Sequence, residues 1–375
     1  MQAMGRAAFL VTATLAASAL AAPLAPLSPG VLVDSTAPAA VASAPQPQPF
    51  QPVPIQPLPP PLTPEQITAQ VDPIVVTISA DWGLTGVAGT GFVVDPEGLV
   101  VTNFHVVEEA SAVTAVHMGN GLIYDATVLG YDKSRDLAVL QLATASDLPV
   151  ATLGGTRALG VGDPVTAIGN ASGGGVLVPA PGKVVALDRT ITAQNSVDGS
   201  TNELTGVIQI DADVRPGDSG GPLVDAWGTV VGVDAAGLSD DARLSQAPEA
   251  YAIPIESAMA VVAQVRTGRS DGTVHVGPTP YLGVAVRDVS AFRTAGPSQG
   301  AAVASVEYDS PAMRTGLVSG DVIVAFDGKP VRTSDELAQE MVGRVPGDAV
   351  RLQWVTEGGA RQEQTVTLEL GTPTA

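Results

Sequence analysis

Residues 217–222 read Gly-Asp-Ser-Gly-Gly-Pro and lead directly into the apolar pair Leu223 and Val224. A serine hydroxyl is a weak nucleophile at neutral pH, so it needs a base to remove its proton and donors to stabilise the oxyanion that its attack creates. Glycine tolerates backbone angles that are closed to other residues, which allows the N–H groups of Gly217 and Ser219 to converge on one point. The stretch therefore predicts an acyl-transfer site, although the same residue types also form ordinary turns.

The chain has three histidines, and His105 has the setting that a general base requires. It follows the largely apolar residues 100–104 and precedes two valines, a pattern that predicts a buried strand giving way to a short helix at a cleft. His117 lies in an ordinary strand pattern, and His275 lies in a connector flanked by glycine and proline, so both are interpreted as structural. The pattern therefore favours His105 as the base.

An orienting carboxylate would hold the histidine tautomer and stabilise the imidazolium. Asp136 immediately precedes the apolar residues 137–140, which would bury it beside His105, and Asp132 is the nearby competitor. With Asp136 the chain order is histidine, aspartate, serine, as in chymotrypsin-like double barrels and unlike subtilisins or α/β-hydrolases. The predicted catalytic residues are therefore His105, Asp136 and Ser219.

Three segments together resemble the HtrA/DegP serine proteases. Residues 102–107 are similar to the histidine motif of that family, residues 135–140 to its aspartate motif and residues 208–224 to its serine motif. The similarity extends from about Val71 to the C-terminus, and the nearest resemblance is to secreted mycobacterial PDZ serine proteases. It implies the same triad and an oxyanion hole in the loop Gly217, Asp218, Ser219, with the N–H groups of Gly217 and Ser219 as donors.

Two acidic residues depart from the common pattern of that family. Asp218 stands where many members have asparagine, and we expect local backbone N–H groups to be its partners. Asp213 stands where a small residue is usual, at the spacing that puts a carboxylate at the base of the specificity pocket in trypsin-like enzymes. Val214 favours an apolar P1 residue, and Asp213 leaves a basic P1 residue as the alternative. The pocket candidates are Asp213, Val214, Val233 and Ala235.

The N-terminal residues predict export. Arg6 precedes an apolar stretch at residues 7–22, which as a helix spans about 24 Å and is short for a hydrocarbon core of about 30 Å. Its small-residue ending is typical of a signal peptidase site, so residues 1–22 are predicted to be a signal peptide, with an uncleaved anchor as the alternative. Ten of the twenty residues at 45–64 are proline, so residues 23–66 are predicted to be a disordered, proline-rich linker.

Charge and cysteine content limit the partners and the kinds of site that this protein can have. The chain contains no cysteine, which excludes disulfides, a lipobox lipid anchor and thiolate metal sites. No metal and no cofactor is implied by the motifs. The net charge of −20 repels phosphate backbones, so nucleic acid is not expected as a partner. The expected location is secreted or associated with the cell envelope.

The rest of the chain predicts a mainly β protein. Short apolar runs divided by glycine, proline and aspartate indicate a chymotrypsin-like double β-barrel protease domain at residues 67–270, closed by a helix at residues 255–265. Residues 277–371 resemble a PDZ domain of the α+β class, with a helix at residues 334–342. The residues expected to bind a peptide C-terminus by β-augmentation are Tyr281, Leu282, Gly283, Val284, Val286, Leu337 and Met341.

These features predict an exported, ATP-independent serine endopeptidase that acts on unfolded or damaged proteins and binds C-terminal peptides through a PDZ domain. The expected partners are unfolded or peptide substrates, and the family resemblance adds a homotrimer built through the protease domain. Two alternatives stay open. One is a chaperone or binding scaffold with minor or lost protease activity, and the other is a processing protease with one or a few partners.

Overall fold

A computed structural model of the chain describes residues 59–82, 85–194, 201–235, 249–289 and 296–373. The predicted signal peptide and most of the predicted linker lie outside these residues. None of the helices within them has the length and apolarity that crossing a bilayer requires.

The described chain begins with a short helix, α1 (Pro64–Val71). Thr63 caps it, because its hydroxyl accepts from the Gln66 N–H (3.3 Å) while the Gln66 side chain accepts from the Thr63 N–H (2.9 Å). Ile67 is buried on the opposite face of the helix. The structure therefore differs from the predicted linker limit at residue 66, since the capping box and the buried face hold these residues on the folded body.

An antiparallel sheet follows and closes on itself. Strands pair in the order fifth, fourth, first, second, third and sixth, and the fifth also pairs with the sixth. The third strand is buried along its whole length, so helix α2 begins directly after a strand of the core. The elements are β1 (Val75–Trp82), β2 (Thr85–Asp95), β3 (Leu99–Thr102), α2 (Phe104–Val107), β4 (Ala112–His117), β5 (Ile123–Asp132) and β6 (Leu137–Leu142).

A second group of strands forms a closed barrel. The elements are β7 (Pro164–Gly169), β8 (Val178–Gln194), β9 (Thr201–Ile210), β10 (Pro222–Asp225), β11 (Val230–Ala235), β12 (Ala250–Pro254) and α3 (Ile255–Arg266). The barrel order is β10-β11-β12-β9-β8-β7. One apolar core joins the two barrels, with Phe92 and Val101 from the first packed with Ile168 and Val233 from the second. The segment that carries Ser219 lies between β9 and β10, beside this shared core.

The C-terminal residues form a third sheet with its own core. Its strands pair in the order β15-β16-β17-β19-β20 and leave β15 at an edge within the described residues, while β13 instead joins β5. Strands β14 and β21 pair with each other in a separate sheet, and β18 pairs with β17. The elements of these C-terminal residues are β13 (His275–Val276), β14 (Pro280–Tyr281), β15 (Val284–Asp288), β16 (Ala301–Val306), α4 (Pro311–Arg314), β17 (Val322–Phe326), β18 (Lys329–Pro330), α5 (Ser334–Val342), β19 (Ala349–Val355), β20 (Arg361–Thr367) and β21 (Glu369–Leu370). The prediction of a mainly β protein is confirmed.

Candidate active site

His105 lies on a four-residue helix at the end of a buried strand. The neighbours Phe104, Val106 and Val107 are buried, whereas the His105 side chain is 35% exposed. Asn103 is the N-cap and is still extended (ψ 150°), so the helix begins directly after it. The buried apolar residues anchor the helix and leave the imidazole partly exposed.

Asp136 meets His105 through both carboxylate oxygens. Oδ1 accepts from the His105 backbone N–H at 2.9 Å, and Oδ2 lies 2.8 Å from His105 Nδ1. Asp136 adopts a left-handed conformation (φ 54°) at the end of the 3-10 helix Lys133–Arg135, and Asn103 Nδ2 donates to its carbonyl at 2.9 Å. These contacts fix the ring orientation and leave Nε2 as the nitrogen that would exchange a proton with a nucleophile.

Asp132, the competing carboxylate, has different partners. Its Oδ1 accepts from the Ser134 hydroxyl (2.6 Å) and from the Arg135 N–H (3.2 Å), and its Oδ2 accepts from the Arg135 guanidinium (2.8 Å). It therefore caps the turn that carries Asp136.

The protonation of His105 reflects two opposing effects. Burial by itself would lower the pKa of His105, but the Asp136 charge and hydrogen bond outweigh it and Glu108 adds to them, so the pKa lies above its usual value. A raised pKa means that the imidazolium is stabilised, which is what a base needs after it has accepted a proton.

The serine loop, residues 217–222, packs against the segment that precedes His105. Ser219 is 5% exposed, and its carbonyl accepts from the Thr90 N–H at 2.9 Å. Gly220 has a φ of +84°, and a Cβ there would lie 2.2 Å from Thr102 Oγ1 and 3.0 Å from Asn103 N. Only glycine permits this approach, and through it Ser219 is brought to the end of β3 where α2 begins.

Gly217 is constrained from two sides. Its φ is +99°, and a Cβ there would lie 2.3 Å from the Asn170 carbonyl oxygen. The buried Thr90 hydroxyl donates to the Gly217 carbonyl (2.6 Å) and accepts from the Asn170 N–H (2.9 Å). The Asp218 N–H donates to the Arg215 carbonyl at 3.0 Å, so of the three predicted oxyanion-hole residues Asp218 already uses its N–H within the loop.

Two buried acids meet at the loop, Asp218 within it and Asp234 on the adjacent β11. Asp218 is 2% exposed; its Oδ2 accepts from the Arg215 N–H at 2.9 Å, whereas its Oδ1 has no partner among the described residues. Asp234, on β11, is 0% exposed, and within the same residues neither of its carboxylate oxygens has a partner. The Asp234 carbonyl accepts from the Gly220 N–H, and the Asp234 N–H donates to the Gly221 carbonyl, both at 2.8 Å.

Burial raises the pKa of both acids. The pKa of Asp218 rises to about 6, mainly by burial, with the Arg215 N–H acting in the opposite direction. The pKa of Asp234 rises well above its usual value of 3.8 because of burial and then because of the nearby Asp218 charge. Asp234 is absent from the residues predicted from the sequence, although an acid within the apolar strand pattern of β11 was a usable signal.

The specificity-pocket candidates do not share one environment. Asp213 is exposed and forms an ion pair with Arg215, whose Nε lies 3.0 Å from Asp213 Oδ2. Val214 is partly buried against the second-barrel core. Val233 is completely buried and Ala235 is 5% exposed, both on β11. The Asp213 carboxylate is thus partly neutralised by its own neighbour.

The predicted peptide-binding residues lie on β14, at the start of β15 and on helix α5. Gly283 has a φ of +80°, and a Cβ there would lie 2.1 Å from Ser310 Cβ, so the loop before β15 turns tightly against the start of α4. Asp288, at the other end of β15, accepts from the Ser334 N–H and hydroxyl at 2.7 and 2.9 Å and so joins β15 to α5. Leu282 and Leu337 are core residues, and the residues packed around them are Val284, Val286 and Met341. The hydroxyl of the remaining candidate, Tyr281, donates to Glu307 Oε2 at 2.6 Å.

The other two histidines have different surroundings from His105. His117 is 1% exposed; its Nδ1 accepts from the Asn120 N–H at 3.2 Å, and burial lowers its pKa. His275 is also 1% exposed and lies on β13. Among the described residues, no group of three or more His, Cys, Asp or Glu side chains is arranged to hold a metal ion.

Comparison with known proteins gives two domain matches. Residues 89–233 match the model of a trypsin-like peptidase domain, and residues 280–369 match that of a PDZ domain. The two matched segments include the residues around His105, Asp136 and Ser219 and the residues around β15 and α5.

Curated relatives are similar to this chain over three quarters or more of its length. A probable periplasmic serine endoprotease, DegP-like, of Halomonas elongata is 36% identical over 75% of this chain and 56% of its own length. The putative serine protease HhoA of Synechocystis is 35% identical over 76% of this chain and 72% of its own length. The serine protease PepD of Mycobacterium tuberculosis is 30% identical over 82% of this chain and 66% of its own length. The chain thus spans between about half and three quarters of these relatives, and it belongs to the HtrA-type family of serine proteases, with a trypsin-like peptidase domain followed by a PDZ domain.

Proposed function

We propose that this protein is an exported, ATP-independent serine endopeptidase that cleaves unfolded or damaged proteins with His105, Asp136 and Ser219. The observation that carries the proposal is the double contact of the Asp136 carboxylate with the backbone and the ring of His105. That arrangement has the geometry of the base and its orienter in a serine protease. The names of the relatives support the same activity class.

In the first half of the reaction, His105 Nε2 takes the proton of the Ser219 hydroxyl as the serine oxygen bonds to the substrate carbonyl carbon. The negative charge moves to the carbonyl oxygen, where the N–H groups of Gly217 and Ser219 would stabilise it. The imidazolium then gives its proton to the leaving amine, the peptide C–N bond breaks, and an acyl-enzyme on Ser219 is formed.

In the second half, water replaces the amine. His105 removes a proton from the water as its oxygen attacks the acyl carbon, and it returns that proton to the Ser219 oxygen when the ester bond breaks. Asp136 stays ionised throughout and stabilises each imidazolium.

We infer a preference for apolar P1 residues. The Asp213 carboxylate is exposed and paired with Arg215, so it offers little unopposed charge to a lysine or arginine side chain. The partly buried Val214 next to it provides apolar surface.

The PDZ domain, proposed at residues 277–371, would bind C-terminal peptides along β15. An edge strand offers unpaired backbone groups to an added strand, and the adjacent α5 would complete the groove. The bound carboxylate would meet the N–H groups of Leu282 and Gly283.

Export and assembly complete the proposal. The apolar residues 7–22 and the periplasmic names of relatives support a signal peptide at residues 1–22. The proline content supports a linker after it that ends before helix α1, and the trypsin-like match supports a protease domain at residues 67–270. We propose a homotrimer on the basis of the family resemblance. Mass spectrometry of exported protein would give the mature N-terminus, and light scattering of purified protein would give the subunit number.

The decisive experiment compares wild type with Ser219→Ala on denatured casein. We expect the variant to lose cleavage while it keeps its circular dichroism spectrum and thermal transition. Equal cleavage rates would overturn the proposed enzyme and favour a binding scaffold. N-terminal sequencing of the fragments tests the P1 inference, since cuts mainly after lysine or arginine would contradict it.

A further inference from the structure

His275 is a buried histidine to which the proposed mechanism assigns no role. Its ring contacts three carbonyl oxygens: Nδ1 lies 2.7 Å from Val342 O, and Nε2 lies 3.0 Å from Gly277 O and 3.1 Å from Pro278 O. Val342 is the last residue of α5, where a carbonyl has no partner within its own helix. The ring therefore ties the end of the PDZ helix to the connector that leads back to the first barrel.

The backbone of β13 fixes His275 on that barrel. His275 is paired with Tyr131 of β5, and the Gly277 N–H donates to the Leu129 carbonyl at 2.9 Å. Gly130 makes the approach possible, because a Cβ there would lie 2.5 Å from the His275 carbonyl oxygen and 2.9 Å from Val265 Cγ2. Main-chain contacts at His275 and at Gly277 thus set the position of the ring relative to β5.

A row of rings leads from His275 to the helix of the proposed base. The centroids of the His275 and Tyr131 rings are 5.0 Å apart at 36°, and those of Tyr131 and Phe104 are 4.6 Å apart at 31°, spacings at which aromatic pairs attract. Phe104 is 6% exposed and is the first residue of α2, directly before His105. The Lys133 ammonium lies 5.8 Å from the Phe104 centroid.

Helix α2 depends on this packing for its orientation. A helix of four residues has too few internal hydrogen bonds to be stable alone, so its direction is set by the side chains that anchor it. Val106 anchors it to β2, where Gly89 leaves room for it: a Cβ at Gly89 would lie 2.5 Å from Val106 Cγ1. Phe104 is the anchor on the side of β5, and Tyr131 is the ring against which it packs.

We propose that His275 and Tyr131 are positioning residues: packed between the end of α5 and Phe104, they set the orientation of α2 and thereby of the His105 imidazole. The inference rests on the proposed role of His105 as the base. A displacement of a catalytic group by about 1 Å can cost roughly 100-fold in rate, so a loosened α2 would lower kcat more than it would change KM.

The test compares His275→Ala with His117→Ala, a matched control that also removes a 1% exposed histidine but lies outside the ring row. For His275→Ala in the full chain we expect kcat on denatured casein to fall about tenfold with KM changed less than about twofold. Amide hydrogen exchange should rise about tenfold at residues 104–107 and stay unchanged at β4. His117→Ala should lower the melting temperature without either effect.

Variants of Tyr131 test the same row of rings independently of the folding of His275→Ala. Tyr131→Phe keeps the ring and should keep wild-type kcat and exchange at α2, whereas Tyr131→Ala should reproduce His275→Ala. The double variant should be within about twofold of the worse single variant, because residues in series are not additive.

Two results would overturn the proposal: kcat and α2 exchange within about twofold of wild type in both His275→Ala and Tyr131→Ala, or equal effects in His117→Ala. Failure of the proposed serine endopeptidase activity would be a separate outcome, because cleavage would then be unaffected by Ser219→Ala. Amide exchange at α2 reports the positioning of the helix even in a protein that does not hydrolyse casein.

Discussion

The serine loop lies between two carboxylate environments of opposite character. On the His105 side, the Asp136 side chain is 14% exposed and each of its oxygens meets a nitrogen of His105. On the β11 side, Asp218 and Asp234 are almost fully buried, and three of their oxygens have no hydrogen-bond partner within the described residues. A partnered carboxylate can tune a base, whereas buried carboxylates without partners oppose folding once they ionise.

Asp136→Asn removes the carboxylate that contacts His105 and should have the largest effect on kcat. Asparagine cannot stabilise the imidazolium and favours the wrong tautomer of His105, so we expect kcat to fall about 10⁴-fold, measured on a fluorogenic peptide. Asp132→Asn is the matched control, because that carboxylate binds Ser134 and Arg135. A comparable loss in the control would contradict the assignment of Asp136 as the orienter.

Gly217→Ala should rank second. A methyl group would clash with the Asn170 carbonyl at 2.3 Å, and displacement of an oxyanion donor costs about 100- to 1,000-fold in kcat. Gly162→Ala is the control, since Gly162 has a similar φ of +94° but no heavy atom within 4 Å of the place where its methyl group would lie. Equal losses would mean that backbone strain alone, without the contact to Asn170, explains the effect.

The buried acids should make stability depend on pH. Their raised pKa values mean that the native protein binds more protons than the unfolded chain above pH about 4, so stability falls as pH rises. For Asp218 a pKa raised to about 6 corresponds to a loss on the order of 3 kcal/mol by pH about 8.

Asp218→Asn and Asp234→Asn should each reduce the loss of stability that accompanies a rise in pH. Urea unfolding at pH about 5 and about 8 in a Ser219→Ala background measures it without self-cleavage. Glu97→Gln, at an exposed turn position, is the control. If both aspartate variants lose as much stability between the two pH values as their parent does, then the two acids do not carry the pH dependence.

Arg215→Ala should have the smallest effect. It frees the exposed Asp213 carboxylate, and an exposed ion pair is worth about 0–1 kcal/mol, so cleavage after lysine or arginine should rise by no more than about fivefold. Fragment profiles of a digested denatured proteome measure the change, with Arg361→Ala on β20 as the control. An unchanged profile would place Asp213 away from the bound P1 side chain.

Much of the fold could be predicted because its signals are local. The strand-to-helix junction at His105 and the helix Ser334–Val342 follow from periodicity within short windows. Helix α1 was missed although Thr63 and Gln66 form a capping box, because the proline content of the preceding residues suggested a continuous linker. The catalytic roles of His105, Asp136 and Ser219 stay predictions.

The surroundings of the loop could not be predicted in the same way. Thr90 contacts residues 127 and 80 positions away along the chain, and no local pattern marks it. Asp132 and Asp136 are four residues apart, and Asp136, which has a left-handed backbone, is the one whose carboxylate contacts His105. The role proposed for His275 likewise depends on contacts between segments that are far apart in sequence.

By itself, the sequence determined the family, the two-domain order and the residue types that acyl transfer requires, because these depend on short motifs and on their order along the chain. Only the tertiary structure decided which carboxylates gain partners. Asp136 meets two nitrogens of His105, while Asp234 is enclosed in the barrel beside Asp218. The physical reason is that desolvation and hydrogen bonding depend on neighbours in space, and these are brought together only when both barrels close around the serine loop.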